Sequence, residues 1–172
     1  MTKILLHTCC APCTTYVQEW LKENAFQVTG FFYNPNIYPW AEYEKRKKYM
    51  ERYSGIVDLP MTYIDNFLVP EAGRCDLCYE NRLRRTAQYG KSKGFNSFSS
   101  TLLISPYQKH DLLCEIGEKV AGEEGIEFFY HDFREGYFKS RELAKRYNLY
   151  RQKYCGCSTS LKAREALYEQ IA

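Results

Sequence analysis

Short apolar runs alternate with longer amphipathic segments along the chain. The apolar runs have the four-to-eight-residue length of buried strands, whereas the longer segments repeat apolar residues at helical spacing. The pattern predicts five strands, at Lys3–His7, Phe26–Tyr33, Ile56–Ile64, Asn96–Ser100 and Ile126–Tyr130. The third is the weakest because Pro60 lacks the N–H group that a strand ladder needs.

Helices are predicted between and after these strands. Pro12 suits the start of the first helix, where its missing N–H costs no hydrogen bond. The predicted helices are Thr14–Lys22, Trp40–Tyr53, Cys75–Lys91, Pro106–Ala121, Ser140–Tyr147 and Leu161–Ile171. Such alternation predicts an α/β fold with a mainly parallel sheet and helices on both faces. Ligands of such sheets bind at the carboxyl ends of the strands.

The length and composition narrow the class of protein. We expect a single domain over residues 1–172, which is long enough to bury a core without staples. No apolar run approaches the roughly 18 residues of a membrane span, and Met1–Leu6 is too short for a signal-peptide core. We therefore expect a cytoplasmic protein without a membrane partner. The net charge of +3 neither requires nor excludes a polyanionic partner.

The chain has eight cysteines, and cytoplasmic thiols are normally kept reduced, so structural disulfides do not explain them. Cys114 lies alone within a predicted helix and is interpreted as a small core residue. The other seven form three groups: Cys9, Cys10 and Cys13 after the first strand, Cys75 and Cys78 at the start of the third helix, and Cys155 and Cys157 before the last helix. The first two groups should face one another across the crevice at the carboxyl ends of the strands.

Cys9, Cys10, Cys75 and Cys78 offer four soft ligands, which suffice for a tetrahedral zinc ion or a [4Fe-4S] cluster. Adjacent side chains diverge, and a cluster accepts divergent sulfurs more easily than a single ion, so the pattern favours iron–sulfur. A zinc staple and plain reduced thiols remain open. A further alternative is a thioredoxin-like dithiol oxidoreductase, because Cys10-Ala11-Pro12-Cys13 has the Cys-x-Pro-Cys form. That alternative leaves the other thiol groups unexplained.

Two further sites carry candidate chemistry. In Cys155-Gly156-Cys157 the sulfurs are close and glycine supplies a permissive backbone, which suits an easily reduced redox pair; two additional metal ligands are the alternative. Asp132 follows the fifth strand and is a candidate general acid, or a carboxylate that orients a base. A solvated carboxylate capping a loop is equally compatible with that position.

Clusters of basic residues accompanied by tyrosines provide weak evidence for an RNA partner, since cations neutralise phosphates and aromatic faces stack on unpaired bases. The clusters comprise Lys45, Arg46, Lys47 and Lys48; Arg82, Arg84 and Arg85; and Arg141, Lys145, Arg146, Arg151 and Lys153. Each can equally be a solvated helix face. The chain has neither a Gly-x-x-x-x-Gly-Lys-Ser/Thr nor a Gly-x-Gly-x-x-Gly motif, so the sequence does not indicate ATP or a dinucleotide.

The segment Leu5-Leu6-His7-Thr8-Cys9-Cys10-Ala11-Pro12-Cys13 resembles the opening motif of QueH-type epoxyqueuosine reductases. The resemblance covers nearly the whole chain. The other matching segments are Cys75-x-x-Cys78-Tyr79-x-x-Arg82-Leu83, residues 101–111, Asp132-Phe133-Arg134-x-Gly136-Tyr137, and Tyr150-Arg151-Gln152-x-Tyr154-Cys155-Gly156-Cys157.

The resemblance implies a cobalamin-independent reduction of epoxyqueuosine to queuosine at the wobble position of tRNA. It implies an adenine-nucleotide-hydrolase-like (HUP-like) three-layer fold, a [4Fe-4S] cluster on Cys9, Cys10, Cys75 and Cys78, and a redox-active pair, Cys155 and Cys157. A tRNA anticodon loop and an electron donor are the expected partners. Because four thiolates leave no open iron position, one ligand is labile or an additional iron lies alongside; Cys13 and Asp132 are the candidates beside the cluster.

Overall fold

A computed structural model describes residues 1–66 and 73–171. Five strands form one all-parallel sheet in the order β3-β2-β1-β4-β5. Their bounds are β1 Thr2–His7, β2 Phe26–Phe32, β3 Met61–Tyr63, β4 Ser97–Ser100 and β5 Glu127–Phe128. The predicted α/β class and parallel sheet are confirmed. The third strand is only three residues long, because the preceding helix continues to Ile56 and Pro60 delays strand pairing.

The helices cover both faces of the sheet. They are α1 Ala11–Glu23, α2 Trp40–Ile56, α3 Cys75–Ser92, α4 His110–Glu124, α5 Tyr137–Arg146 and α6 Ser158–Ile171. Helix α1 packs against α2 and α5 on one face, and α3 packs against α4 on the other. This is the three-layer arrangement that the resemblance implies. No helix within the described ranges is both long and apolar enough to cross a bilayer.

Several predicted boundaries were wrong. Helix α5 begins at Tyr137 rather than Ser140, and α6 begins at Ser158 rather than Leu161. The helix expected from Pro106 begins at His110, and the short 3₁₀ turn Thr101–Ile104 precedes it. The Ser100 hydroxyl accepts a hydrogen bond from the Leu102 N–H at 3.1 Å, so a side chain satisfies the backbone directly after β4. This local cap turns the chain over the end of the sheet before the next helix starts.

The core runs along both faces of β1, where Ile4, Leu5 and Leu6 are fully buried. Such a strand, covered by helices on either side, is expected to be apolar at successive positions rather than alternating. Phe31 and Phe98 extend the core onto the neighbouring strands. The central strand therefore ends at a rigid edge, and the first thiol group follows that edge directly.

His7 joins three strand ends at this edge. Its Nε2 faces two acceptors, the Tyr33 carbonyl oxygen at 3.0 Å and Asn34 Oδ1 at 3.2 Å, so Nε2 carries the proton. Its Nδ1 accepts from the Ser100 hydroxyl at 2.9 Å. Burial, followed by the nearby charge of Arg82, lowers the pKa of His7 to about 4. The imidazole is therefore a neutral connector between the ends of β1, β2 and β4.

Replacing His7 by alanine is expected to lower the free energy of unfolding by about 2–4 kcal/mol, because it leaves a cavity and buried partners without hydrogen bonds. Chemical denaturation at constant pH measures the loss. Lys3→Ala, an exposed position on the same strand, is the control and should change stability by less than about 0.5 kcal/mol. Equal, small losses in both variants would show that the His7 hydrogen bonds contribute little.

Candidate metal and redox centre

The first thiol group lies where β1 ends and α1 begins. The Sγ atoms of Cys9, Cys10 and Cys13 are all within 4.8 Å of one another, and those of Cys9 and Cys10 are 3.7 Å apart. Cys10 is the N-cap residue of α1 and has an extended backbone, so the thiol group lies at the junction between strand and helix. These three residues form a group able to bind a metal ion.

The three thiols are electrostatically unequal. Hydrogen bonds from Cys10 and Cys13 hold the pKa of Cys9 well below its ordinary value, and the Thr101 hydroxyl, 3.2 Å from Cys9 Sγ, acts in the same direction. Burial raises the pKa of Cys10, and hydrogen bonding to Cys10 raises that of Cys13. Gln152 also donates an N–H to Cys10 Sγ at 2.9 Å. Cys9 is therefore the most acidic thiol of the group.

Cys75 and Cys78 lie in the first turn of α3 and line a mainly apolar cavity of about 240 Å³. One turn further along the helix, Arg82 donates from Nη2 to Cys78 Sγ at 3.1 Å. The Arg82 side chain is almost completely buried. Although burial opposes its charge, the sulfurs of Cys78, Cys9 and Cys155 together raise the pKa of Arg82. This guanidinium therefore lies in the combined field of all three thiol groups.

The third group, Cys155 and Cys157, forms a wall of the crevice. The two sulfurs are 3.5 Å apart, so the pair is in its dithiol form, not the disulfide expected of an oxidised pair. Gly156 between them has φ +126°, a conformation that side-chain-bearing residues rarely adopt. A Cβ there would also approach Arg46 Nη1 to 3.3 Å. Glycine is therefore required for the tight loop that brings the sulfurs together.

The two thiols of this pair differ in acidity. Burial opposes ionisation of Cys157, yet the Ser160 N–H at the start of α6, 3.4 Å from its sulfur, helps to hold its pKa below the ordinary value. The crevice walls desolvate Cys155 and raise its pKa, even though part of its side chain is exposed. Cys155 donates to the Ser160 hydroxyl at 3.0 Å. Cys157 is therefore the more nucleophilic thiolate and Cys155 its protonated partner.

Buried Arg46 of α2 fixes the position of this loop. It donates from Nη1 to the Cys155 carbonyl oxygen and from Nη2 to the Tyr154 carbonyl oxygen, each at 3.0 Å. Its Nε bonds Glu42 at 2.8 Å, and Glu42 in turn accepts from the Tyr150 hydroxyl. The sequence placed Arg46 in a basic cluster with two interpretations, an RNA contact or a solvated helix face. The structure shows instead that Arg46 orients the segment 154–157, which carries both thiols and is called the dithiol loop below.

Cys155 lines both cavities of the crevice. The apolar cavity is also lined by Cys75, Cys78 and Cys157, whereas a second cavity of about 360 Å³ is lined by Cys9 and Cys13. The loop that carries Cys155 therefore lies beside both predicted ligand groups. Six of the eight cysteines line these two cavities, and buried Cys10 lies within 4.8 Å of Cys9 and Cys13. Cys114, partly buried within α4, lines neither cavity, in agreement with the role expected for it.

Asp132 lies elsewhere. Its carboxylate accepts from the Arg134 N–H at 3.1 Å and forms an ion pair with the Arg134 guanidinium at 2.6 Å. That hydrogen bonding lowers its pKa to about 2. Asp132 therefore caps the short turn Phe133–Gly136 as an ionised group and lines neither cavity.

Other interactions of the site could not be read from the sequence. Outside the family motifs, no pattern in the sequence singles out Thr101, Gln152 or Arg82. Their roles depend on contacts between distant segments of the chain. Arg84, expected in a phosphate-binding cluster, bonds Glu80, Glu123 and Glu124 at 2.8 Å or less. Its charge is thus compensated on the protein surface, which argues against a phosphate contact there.

The fold and site together define an α/β thiol protein with a cysteine group able to bind a metal ion beside a dithiol. A family model described as "Epoxyqueuosine reductase QueH" matches residues 4–163. The chain belongs to this family, as its sequence motifs predicted.

Curated relatives support the assignment over most of their length. An epoxyqueuosine reductase QueH of Dehalococcoides mccartyi is 41% identical over 165 residues, covering 90% of each chain. The proteins of the same name from Thermotoga maritima and Staphylococcus epidermidis are each 33% identical, covering 100% and 98% of this chain and 97% and 80% of theirs. A solved structure titled as a predicted tRNA methyltransferase subunit from Methanocaldococcus jannaschii has a TM-score of 0.49 at 10% identity, covering 84% of this chain and 75% of that one.

Proposed function

We propose that this protein is an epoxyqueuosine reductase that converts epoxyqueuosine at the wobble position of tRNA into queuosine. The observation that carries the proposal is that six thiols line the two cavities joined at Cys155, in a chain of this family. The proposed unit is a single catalytic domain acting in the cytoplasm on tRNA. Its other partner is an electron donor, and neither ATP nor a membrane is needed.

Cys9, Cys10, Cys75 and Cys78 are the proposed ligands of a [4Fe-4S] cluster. The chemistry of the donor set fits, because all four are soft sulfur ligands at the starts of two helices. Among the described residues the sulfurs of Cys9, Cys10 and Cys13 lie within 4.8 Å of one another, and Cys75 and Cys78 line the adjoining cavity. The low pKa of Cys9 and the buried charge of Arg82 support the negative charge of such a centre. Cys13 lies in the same thiol group as Cys9 and is the candidate ligand for an additional iron.

Removal of the epoxide oxygen consumes two electrons and two protons: both carbon–oxygen bonds break, the carbons gain a double bond, and water leaves. The cluster, when bound, supplies Lewis-acid polarisation of the oxygen and one-electron transfer. Oxidation of Cys155 and Cys157 to a disulfide releases the two electrons. Because Cys157 reacts as its thiolate, the Cys155 thiol supplies one of the two protons and solvent supplies the other, which balances one reduction. An external reductant then restores the dithiol.

The geometry supports this division of work within the chain. Arg46 holds the backbone of the dithiol loop, and Ser160 stabilises the thiolate of Cys157. Cys155 retains a proton and lines both cavities, so it is positioned to release that proton near the substrate. The second cavity is suited to the modified base, because Cys9, Cys13 and Cys155 all line it.

The proposed activity is tested by incubating the anaerobically purified, iron-loaded protein with epoxyqueuosine-containing tRNA and dithionite. We expect nucleoside mass spectrometry to show queuosine appearing as epoxyqueuosine disappears. Cys114→Ser, which alters the lone cysteine outside the crevice, should convert the substrate at the wild-type rate. An iron-loaded protein that leaves epoxyqueuosine unchanged would refute the proposal.

A zinc-stapled RNA-binding module is the second candidate, favoured only by the tetrahedral capacity of the same thiols. Metal analysis of the anaerobically purified protein separates the two. Iron with inorganic sulfide supports the reductase, whereas stoichiometric zinc in a colourless protein supports the module. A thioredoxin-like role for Cys10 and Cys13 is disfavoured, because Cys10 is buried and cannot meet a protein disulfide.

A further inference from the structure

An aromatic surface lies at the mouth of the second cavity. Tyr107 and Phe138 are 81% and 76% exposed, which is unusual for large aromatic side chains. Tyr137 lies between them, with its ring centroid 6.0 Å from that of Tyr107 and 5.7 Å from that of Phe138. We call these three residues the aromatic platform. Their near-perpendicular packing holds the rings in place while leaving ring surface open to solvent.

Cations surround the aromatic platform. Lys153 and Arg164 line the same cavity, and the Arg141 guanidinium lies 5.6 Å from the Tyr137 ring centroid. Lys153 and Arg164 belong to none of the ion pairs in residues 1–66 and 73–171. Among the described residues, no aspartate or glutamate lines this cavity. The mouth is therefore locally positive although the whole chain carries a charge of only +3.

The cavity connects this surface with the reactive thiols. Tyr107 and Tyr137 line it at one side, and Cys9, Cys13 and Cys155 line it deeper in the crevice. A ligand whose reacting group enters the crevice here must place its adjacent portions against the aromatic platform. Open aromatic faces combined with uncompensated cations match unpaired nucleotides, whose bases stack and whose phosphates are anionic.

We propose that the aromatic platform stacks on the unpaired bases that flank the modified nucleotide of the tRNA, while Lys153 and Arg164 contact the adjoining phosphates. This inference rests on the proposed function and assigns the RNA-binding surface of the same site. Of the three basic clusters indicated by the sequence, this surface uses Arg141 and Lys153 of the third. In the clusters of α2 and α3, Arg46 and Arg84 are occupied by protein groups. The partner is a single-stranded loop, since duplex bases present no free face.

The test is binding of a fluorescent anticodon stem-loop RNA to the metal-loaded protein by anisotropy. Tyr107→Ala and Phe138→Ala should each raise Kd by about 5- to 100-fold, the range for losing one base–aromatic stack. Tyr107→Phe retains the ring and should bind like wild type, whereas Phe138→Leu keeps apolar bulk without the ring and should weaken binding. Lys153→Gln should lower the slope of log K against log salt by about one.

Ile56→Ala is the matched control, because this half-exposed apolar residue lies at the C-terminal end of α2, away from the carboxyl edge of the sheet. With epoxyqueuosine-containing tRNA, the platform variants should raise KM and leave kcat unchanged. Unchanged Kd and KM in an enzyme that still makes queuosine would overturn this inference alone. The inference would also be overturned if the platform variants bound RNA normally but needed more protein reductant for turnover. Loss of self-association with normal RNA binding would overturn it as well. Failure of the wild type to make queuosine would refute the function instead.

Discussion

Cys9→Ser is expected to remove the metal centre. It should lower kcat/KM for epoxyqueuosine-containing tRNA by more than about 100-fold, because loss of a ligand costs more than loss of a residue that only supports a ligand. Cys9 is the member of its group whose pKa is lowered, and Thr101 and its neighbouring thiols stabilise the ionised sulfur. A serine hydroxyl is a hard donor that stays protonated, so it cannot replace this thiolate. Iron and sulfide content and visible absorbance of the anaerobically purified protein measure the loss of the centre.

The control is Cys114→Ser, which changes a cysteine on α4 outside both cavities. It should retain the wild-type iron content, colour and activity. Thermal unfolding of both variants without metal shows whether Cys9→Ser still folds. A folded Cys9→Ser protein with full iron and sulfide content would contradict its assignment as a ligand.

Cys155→Ser is expected to keep the iron and the colour but to lower steady-state kcat by at least about tenfold, equivalent to about 1.4 kcal/mol on the limiting barrier. Its serine cannot form the disulfide that balances one two-electron reduction. The Cys155 side chain lines both cavities and is hydrogen-bonded to Ser160. The substitution therefore replaces the sulfur atom with oxygen and changes the shape of the side chain little. Steady-state turnover and iron content, measured on one preparation, separate this effect from loss of metal.

Cys157→Ser and the double variant sharpen the result. Because a disulfide needs both sulfurs, either single change should reduce the rate as much as the two together. Losses that multiply in the double variant would contradict a shared disulfide step and assign separate roles to the two thiols. Unchanged multiple turnover in Cys155→Ser would remove the pair from the mechanism.

The fold was predictable because its elements differ in local pattern. Apolar runs such as Lys3–His7 can be buried only as central strands, and the alternation with helices permits few arrangements other than a parallel sheet. The convergence of the thiol groups was predictable for the same reason, since each follows a strand or opens a helix at one edge. The start of α4 at His110 was not, because the cap at Ser100 depends on a specific side-chain contact.

The environment of each candidate group was less accessible from the sequence. Arg46 and Arg82 stand among basic residues that look solvated, yet each is buried and bonded to a cysteine-bearing segment. Asp132 has the sequence position of an acid at the strand ends, but its neighbour Arg134 pairs with it and holds it outside the cavities. Residue type and spacing do not determine which charges face each other across the fold.

The sequence by itself determined the parallel α/β architecture, the family and which cysteines are candidates for the site. It could do so because periodicity and motif spacing are local properties of the chain. Only the tertiary structure decided that the sulfurs of Cys9, Cys10 and Cys13 lie within 4.8 Å of one another, that Cys155 lines both cavities, and that Tyr107 and Tyr137 line the second one. Those facts depend on contacts between segments up to about 140 residues apart, such as Gln152 with Cys10. Packing sets such contacts and the pKa shifts that follow from them.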